Sequence, residues 1–539
     1  MVGNRLRSLQ AQIRFASGIL SLFRQRVTST DGVAEQLEAR VARRDTYFLE
    51  MAERHIFGNP NSPYRPLLDL AGYDLPGLRQ LVHARGLDAA LDQLWADGVY
   101  VRVGEFKGME PVTRGGHTFR FTQRDFANPL VRGIFRSQSS GSRSRGTATE
   151  VSASDFMDGV RHRRWLFEQY GVANRPAIVW STALAGLRNT IQFTIMGRPP
   201  IRWFVMLRRG EPSYAFLVRL ARLLTGQAIP LPEPMPADRA VDAARYVSQA
   251  GASGGVLVCA FVSSALRLVR AAEEAGFELG DVAFYAGGEP LTPLKRRQIE
   301  GSGYKILSAF AFAEFGNAAW ACPAGQEADD LHVLRDRLAV RCYPRVVDRD
   351  GGTVPAYLFT SFLPHTRHIM VNVESGDYGG LEERRCGCFL DRLGFHQHIH
   401  TVRSFEKLTA EGMTFIGPDL VTLLEEVLPR EFGGDSRHYQ LVEAEDERGI
   451  TRLYVLASPQ LGKVDDAAMR RSVLREIRRR HLSAGPGRLI EQVWHEADTV
   501  QVLRREPLAT ASGKVLHLHR DRGELRRGSG SEGNGGTAS

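Results

Sequence analysis

At 539 residues the chain exceeds one ordinary domain, so two or three domains around a large principal core are expected; its 43% hydrophobic content is that of a globular protein, and no apolar run is long enough to cross a membrane. A formal charge of +9 would permit nucleic-acid or acidic-membrane contact. The arginines are dispersed, however, and the aromatics are not interleaved with a basic patch, which argues against a nucleic-acid partner and suits small anions such as nucleotides equally well. Five cysteines, unevenly placed, exclude a disulfide framework and lead us to expect a reducing, cytoplasmic setting.

The amino-terminal "NRLRSLQAQIRFASGILSLFRQR" is interrupted by Arg14 and lacks a signal peptide's apolar core and cleavage site, so it reads as an amphipathic helix. Up to about residue 130 the pattern stays helical. "GLRQLVHARGLDAALDQLWADG" carries apolar residues at helical spacing, with glycines marking its ends. Strand-like runs then alternate with amphipathic segments: "RPAIVWSTA", "IRWFVML", "GGVLVCAFV" and "DVAFYAGGEP" predict an α/β architecture. After about residue 402 the character changes. "RHYQLVEAED" and "TRLYVLAS" predict paired strands, "DDAAMRRSVLREIRRRH" a helix with Met469, Val473 and Ile477 on one face, and "RLIEQVWHEA" a further strand. The chain thus divides into a large domain over 1–402 with a helical lead-in over 1–54, a small α+β domain over 403–520, and a tail over 521–539 with almost nothing to bury.

Six short pieces carry candidate chemistry. "RSQSSGSRSRGTATE", residues 136–150, gathers hydroxyls, glycines and basic groups that can cradle phosphate oxygens; alone it reads equally as a flexible linker. "YAGGEPLT" ends a strand in a Gly-Gly turn whose bare backbone can lie against a flat ligand. "SAFAFAEFGN" brings Phe310 and a single acid, Glu314, to the end of an apolar run, where a carboxylate can hold magnesium. "VESGDYGG" sets Asp377 in a predicted glycine-framed turn suited to the paired hydroxyls of a ribose. Finally, "ATASGK" puts Lys514 after a small, mobile turn, and "TVRSFEKLTAEG", with Arg403, Glu406 and Gly412, spans the boundary between the domains.

Taken in order and spacing, these pieces resemble the adenylate-forming ligase superfamily of acyl- and aryl-CoA synthetases over roughly residues 55–520. Within it they resemble the phenylacetate-CoA ligase branch, to which "RHYQLV" adds, and its acyl-protein synthetase relatives. The resemblance implies that Ser139, Ser140, Gly141, Ser142, Arg143, Arg145 and Thr147 embrace the triphosphate of ATP. By the same token Gly288, Glu289, Pro290 and Phe310 bracket adenine, Glu314 binds Mg2+, Asp377 and Arg403 hold the ribose, and Lys514 reaches the carboxylate and the α-phosphate. Arg403 would mark the hinge of a mobile carboxy-terminal lid.

The implied activity is ATP-dependent activation of an aromatic or other acyl acid, then transfer to a thiol, with coenzyme A the leading acceptor. Transfer to a carrier protein or an amine is the alternative within enzymes. Three departures keep open a nucleotide-binding protein with impaired turnover: Arg143, Ser144 and Arg145 replace a Thr-Gly-Lys, Ala313 replaces a hydroxyl residue, and Phe405 replaces a frequently charged hinge residue. Separately, Cys322, His332, Cys386 and Cys388 form a Cys-x9-His pair and a Cys-x-Cys pair, the count and type of a closed structural zinc site. His396, His398 and His400 nearby alternate along a predicted strand as polar residues or substitute ligands.

Overall fold

The runs "AIVWS", "RWFV", "VLVCAF" and "VAFYAG" are almost continuously apolar, the signature of strands covered on both faces. In the computed structural model, which describes residues 16–131, 133–138, 148–207, 212–346, 353–404, 407–410, 413–416, 423–480, 493–495, 497–508 and 518–520, they line up as neighbours in one large sheet. The sheet order is Leu338–Val346, Thr353–Ser361, Val373–Glu383, Gln397–Ser404, Leu331–Val333, Gly316–Ala321, Lys305–Phe312, Val282–Gly287, Val256–Phe261, Ala177–Ser181, Arg202–Val205, Pro232–Pro234.

Two pairing regimes meet in this sheet. From Lys305–Phe312 to Pro232–Pro234 every pair is parallel, joined through helices such as Ala183–Ile195 and Val262–Glu274. From Lys305–Phe312 in the other direction every pair is antiparallel. Lys305–Phe312 is therefore the seam. Its carboxyl end, where the chain turns back into Gly316–Ala321, lies with the carboxyl ends of the parallel strands, the side on which α/β sheets bind ligands.

The amino-terminal helices cover the antiparallel half, burying Phe48, Leu67, Leu91 and Leu94 with Phe359 and Ile399. The expected long helix runs Leu75–Ala96, with the Asp74 carboxylate accepting from the Gly77 amide at 2.8 Å as its cap. It is not continuous, because Gly86 at φ 74° takes a left-handed conformation that breaks it into two pieces.

Beyond residue 423 a four-stranded sheet runs Val500–Arg504, Thr451–Ala457, Tyr439–Glu445, Leu518–Arg520, with the helix Asp466–Arg480 burying Met469 and Val473. The paired strands are as expected; the strand expected over 488–497 is not. Residues 493–495 are helical, with the Ala497 amide donating to the Val493 carbonyl at 2.8 Å, while 488–492 and 496 lie outside the described residues. Val493 and Trp494, both 1% exposed, are adjacent and bury together, which a helical turn against a core allows and a one-face-in strand does not.

Candidate active site and metal centre

The Gly288–Pro290 loop leaves the strand Val282–Gly287 directly beside the seam. The register Gly287↔Ala309 sets it next to Phe310 on the neighbouring strand. Gly288 sits at φ 79°, a conformation that favours glycine, and a Cβ there would press on the Phe261 ring at 3.1 Å. The Glu289 carboxylate is engaged by Ser263, accepting from its amide at 2.8 Å and its hydroxyl at 2.9 Å. Because Ser263 opens the helix Val262–Glu274, the acid caps a helix amino terminus and pins the loop, a latch the sequence did not reveal.

Phe310 is half-buried, its ring 6.1 Å from Phe359 and 6.0 Å from Phe312. Glu314 lies in the turn after the seam strand. Its carbonyl accepts from His368 Nδ1 at 2.8 Å, and the Ala313 carbonyl accepts from Arg367 at 3.3 Å. Burial lowers the His368 pKa, which favours the neutral ring with its proton on Nδ1. His368 and Arg367 thus brace the turn from the segment that leads to Asp377.

Asp377 is not in a turn. It lies within the eleven-residue strand Val373–Glu383, opposite Ser404, with Tyr378 opposite Arg403. Two sheet neighbours supply pairing that outweighs the turn preference of the glycines, and register shifts between Tyr378 and Gly380 and between Ala356 and Leu358 absorb the misfit. Asp377 is 8% exposed. Pairing brings Asp377 and Arg403 to adjacent strands, although Arg403 reaches Asp329 at 3.4 Å and the Val402 carbonyl at 2.7 Å. Asp329 also accepts from the Thr401 and Val402 amides at 2.7 and 2.9 Å, fixing the strand before the predicted hinge.

Residues 139–147, carrying Ser139 to Thr147, lie outside the described residues, as do Phe405, Glu406, Gly412 and Lys514.

The four predicted metal ligands converge. Cys322 follows the strand Gly316–Ala321, His332 is central in Leu331–Val333 opposite Trp320, and Cys386 and Cys388 flank Gly387 at φ 73° before the short helix Phe389–Arg392. The ligand atoms lie within 4.8 Å of one another. A tetrahedral zinc with ordinary bond lengths has S···S edges of about 3.8 Å and S···N edges of about 3.6 Å. Here Cys322 Sγ to Cys386 Sγ is 3.7 Å, Cys386 Sγ to His332 Nε2 is 3.6 Å and Cys388 Sγ to His332 Nε2 is 3.1 Å. His332 Nδ1 bonds the Phe395 carbonyl, which leaves Nε2 as the free ligand nitrogen. Hydrogen bonds from the Cys322 thiol and then His332 hold the Cys388 thiol well below its ordinary range.

The other histidines divide. His398 is buried, its Nδ1 2.7 Å from Asp330 and its ring 4.1 Å from that of His332; it forms a second, partial group with Cys322 and Asp330. His396 and His400 contact Arg335 and Thr401 instead. All five cysteines are free thiols. Among the described residues no helix is long and apolar enough to cross a membrane.

No family model and no curated protein matches the chain. Among solved structures it is similar to a 2-hydroxyisobutyryl-CoA ligase in complex with 2-HIB-AMP and CoA, at 14% identity over 94% of each chain with a TM-score of 0.49. It is also similar to an amide bond synthetase from Marinactinospora thermotolerans, at 12% identity over 95% of this chain and 99% of that one with a TM-score of 0.40. A third is the o-succinylbenzoate coenzyme A synthetase of Bacillus subtilis in complex with AMP, at 11% identity over 72% and 69% with a TM-score of 0.34.

Proposed function

We propose that the chain activates a carboxylic acid with ATP as an acyl adenylate and then transfers the acyl group to a thiol, coenzyme A being the leading acceptor. The observation that carries this reading is the register Gly287↔Ala309, which sets the bare Gly288 turn beside Phe310, itself four residues before Glu314, at the carboxyl edge of the parallel strands. Two motifs that the sequence sets apart, at 285–292 and 308–317, thereby share one edge.

In the first half-reaction a carboxylate oxygen attacks the α-phosphorus and the bond to pyrophosphate breaks. Two anions must meet, so the chain's cations carry the step: Arg143, Arg145 and Lys514 offset charge on the phosphates and the attacking oxygen. Glu314 supplies an oxygen for magnesium, whose role when bound is to neutralise phosphate charge. Asp377 and Arg403 orient the ribose, and holding both reactants in line lowers the entropic barrier. In the second half-reaction the thiol sulfur attacks the acyl carbon, the bond to AMP breaks, and the thiol proton leaves to solvent. A small domain carrying Lys514 and hinged near Arg403 serves the first half-reaction and withdraws for the second. The Cys322, His332, Cys386 and Cys388 cluster suits zinc by donor type and edge length, and with four protein ligands its contribution is to hold two strands and the short helix together.

A pyrophosphate-release assay across a panel of acids, run with and without coenzyme A, tests the reading. It predicts acid-dependent release without coenzyme A and thioester plus AMP with it. ATP turnover indifferent to every acid would contradict it.

A further inference from the structure

A small cavity opens immediately after the Glu314 turn, lined by Phe315, Gly316 and Asn317 together with Arg188 and Gln192 of the helix Ala183–Ile195. Three guanidinium groups line it, those of Arg188, Arg337 and Arg367, against one carboxylate, Asp155. Two of the three are already neutralised: Arg367 donates to Asp155 at 2.9 Å, and Arg337 reaches Asp336 at 3.1 Å and Asp158 at 3.6 Å. No carboxylate among the described residues forms an ion pair with Arg188. Its neighbour Arg163 does not relieve it, since that cation bonds the Asn189 and Gln192 oxygens and lies 4.9 Å over the Tyr285 ring. Arg188 therefore brings to the cavity a positive charge that meets only the longer-range pull of Asp155, whose carboxylate Arg367 already engages.

Resting on the acid-activation reading above, we infer that this cavity receives a second carboxylate at the far end of the acid substrate, held by the fork of Arg188 beside the amides of Gln192 and Asn317. Size favours a small anionic head over a ring, since the cavity measures only about 30 Å³. Position favours the acid, because the wall continues directly from Glu314. Burial, with Arg367 and Arg163 adding and Asp155 only partly opposing them, pulls the Arg188 guanidinium down to about 9, a direction that a bound anion would reverse. An acid with an uncharged far end would leave that cation desolvated, so the arrangement selects for dianions.

The test pairs binding with turnover. Calorimetry without ATP would use malonate, succinate, glutarate, phthalate and homophthalate against their monomethyl esters, on the wild-type chain, Arg188→Met and Arg188→Lys. At least one dicarboxylate should bind the wild type about tenfold or more tighter than its ester, as for hydrogen bonds to a charged group. Arg188→Met should abolish that preference, and Arg188→Lys, which keeps the charge but not the fork, should weaken it. In pyrophosphate release the same variants should raise KM for the dicarboxylate and leave KM for ATP unchanged. No discrimination by the wild type, equal discrimination by Arg188→Met, or a raised KM for ATP alone would overturn the inference, the last by assigning the cavity to the polyphosphate. Should calorimetry discriminate while no acid releases pyrophosphate, the anion cavity stands and the activation reading falls.

Discussion

In the parallel half of the large sheet the strand Val256–Phe261 buries Val256, Leu257, Val258 and Cys259, whereas the antiparallel half buries Asp330, His332, Glu374 and His398 to 3% exposure or less. The first set needs only shape to be stable. Each member of the second needs a partner: Glu374 accepts from the Tyr343 hydroxyl at 2.8 Å, Asp330 lies 2.7 Å from His398, and His332 faces two thiols. The difference separates scaffold from chemistry. Apolar parallel strands fix where the Gly288 turn and the seam lie, and polar groups on the antiparallel side form the Cys/His cluster and the frame around Asp377.

Substitutions should respect that division. Trp180 is fully buried in the parallel half, its indole donating to the Met235 carbonyl at 2.8 Å, so Trp180→Ala should cost about 3–5 kcal/mol while activity per folded molecule persists. Urea titration alongside specific activity checks both, and an inactive but stable variant would break the comparison.

Asp158 joins the halves: it lies 2.8 Å from Arg40 and 3.6 Å from each of His162, Arg337 and His365. Burial alone would raise its pKa, but His365 and then Arg337 outweigh it and hold the carboxyl well below its ordinary 3.8. Its stabilisation is therefore whole above that value and is lost as pH falls toward the folded pKa. Asp158→Asn should destabilise by about 3 kcal/mol at neutral pH, and the gap should narrow below about pH 3. A gap unchanged with pH would remove the network as its cause.

For the metal centre, replacing Cys386 and Cys388 by serine should release one equivalent of zinc and lower stability by about 2 kcal/mol or more, with smaller effects on activity per folded molecule. Elemental analysis finding no metal in wild-type protein purified without chelators would refute the site. Asp377→Ala should raise KM for ATP by about tenfold, the loss of hydrogen bonds to a charged acceptor, with KM for the acid unchanged. The opposite pattern would move Asp377 from the ribose to the acid.

Much of this organisation is legible along the chain because it is local. Apolar runs such as "AIVWS" mark parallel strands, and ligand spacing alone picks out the Cys386 and Cys388 pair with Cys322 and His332, which cross-strand pairing then unites. What escaped depends on distant neighbours. Asp377 reads as a turn because its glycines speak for one, and only two flanking strands override them. Gly86 sits inside an unbroken helical period and still breaks the helix. The Ser263 latch on Glu289 spans 26 residues and Arg367 to Asp155 spans 212, beyond any periodic signal. Arg188 reads as one polar position in an apolar helix, and its place in one cavity with Arg337 and Arg367 is set by segments about 150 residues and more away.

The most direct test of the two-step account is Lys514→Ala, assayed once from acid plus ATP and once from chemically made acyl adenylate plus coenzyme A. If Lys514 meets the reacting oxygens only during activation, the first rate should fall by about 100-fold or more and the second should hold. Equal losses in both assays, or no loss in either, would contradict the account.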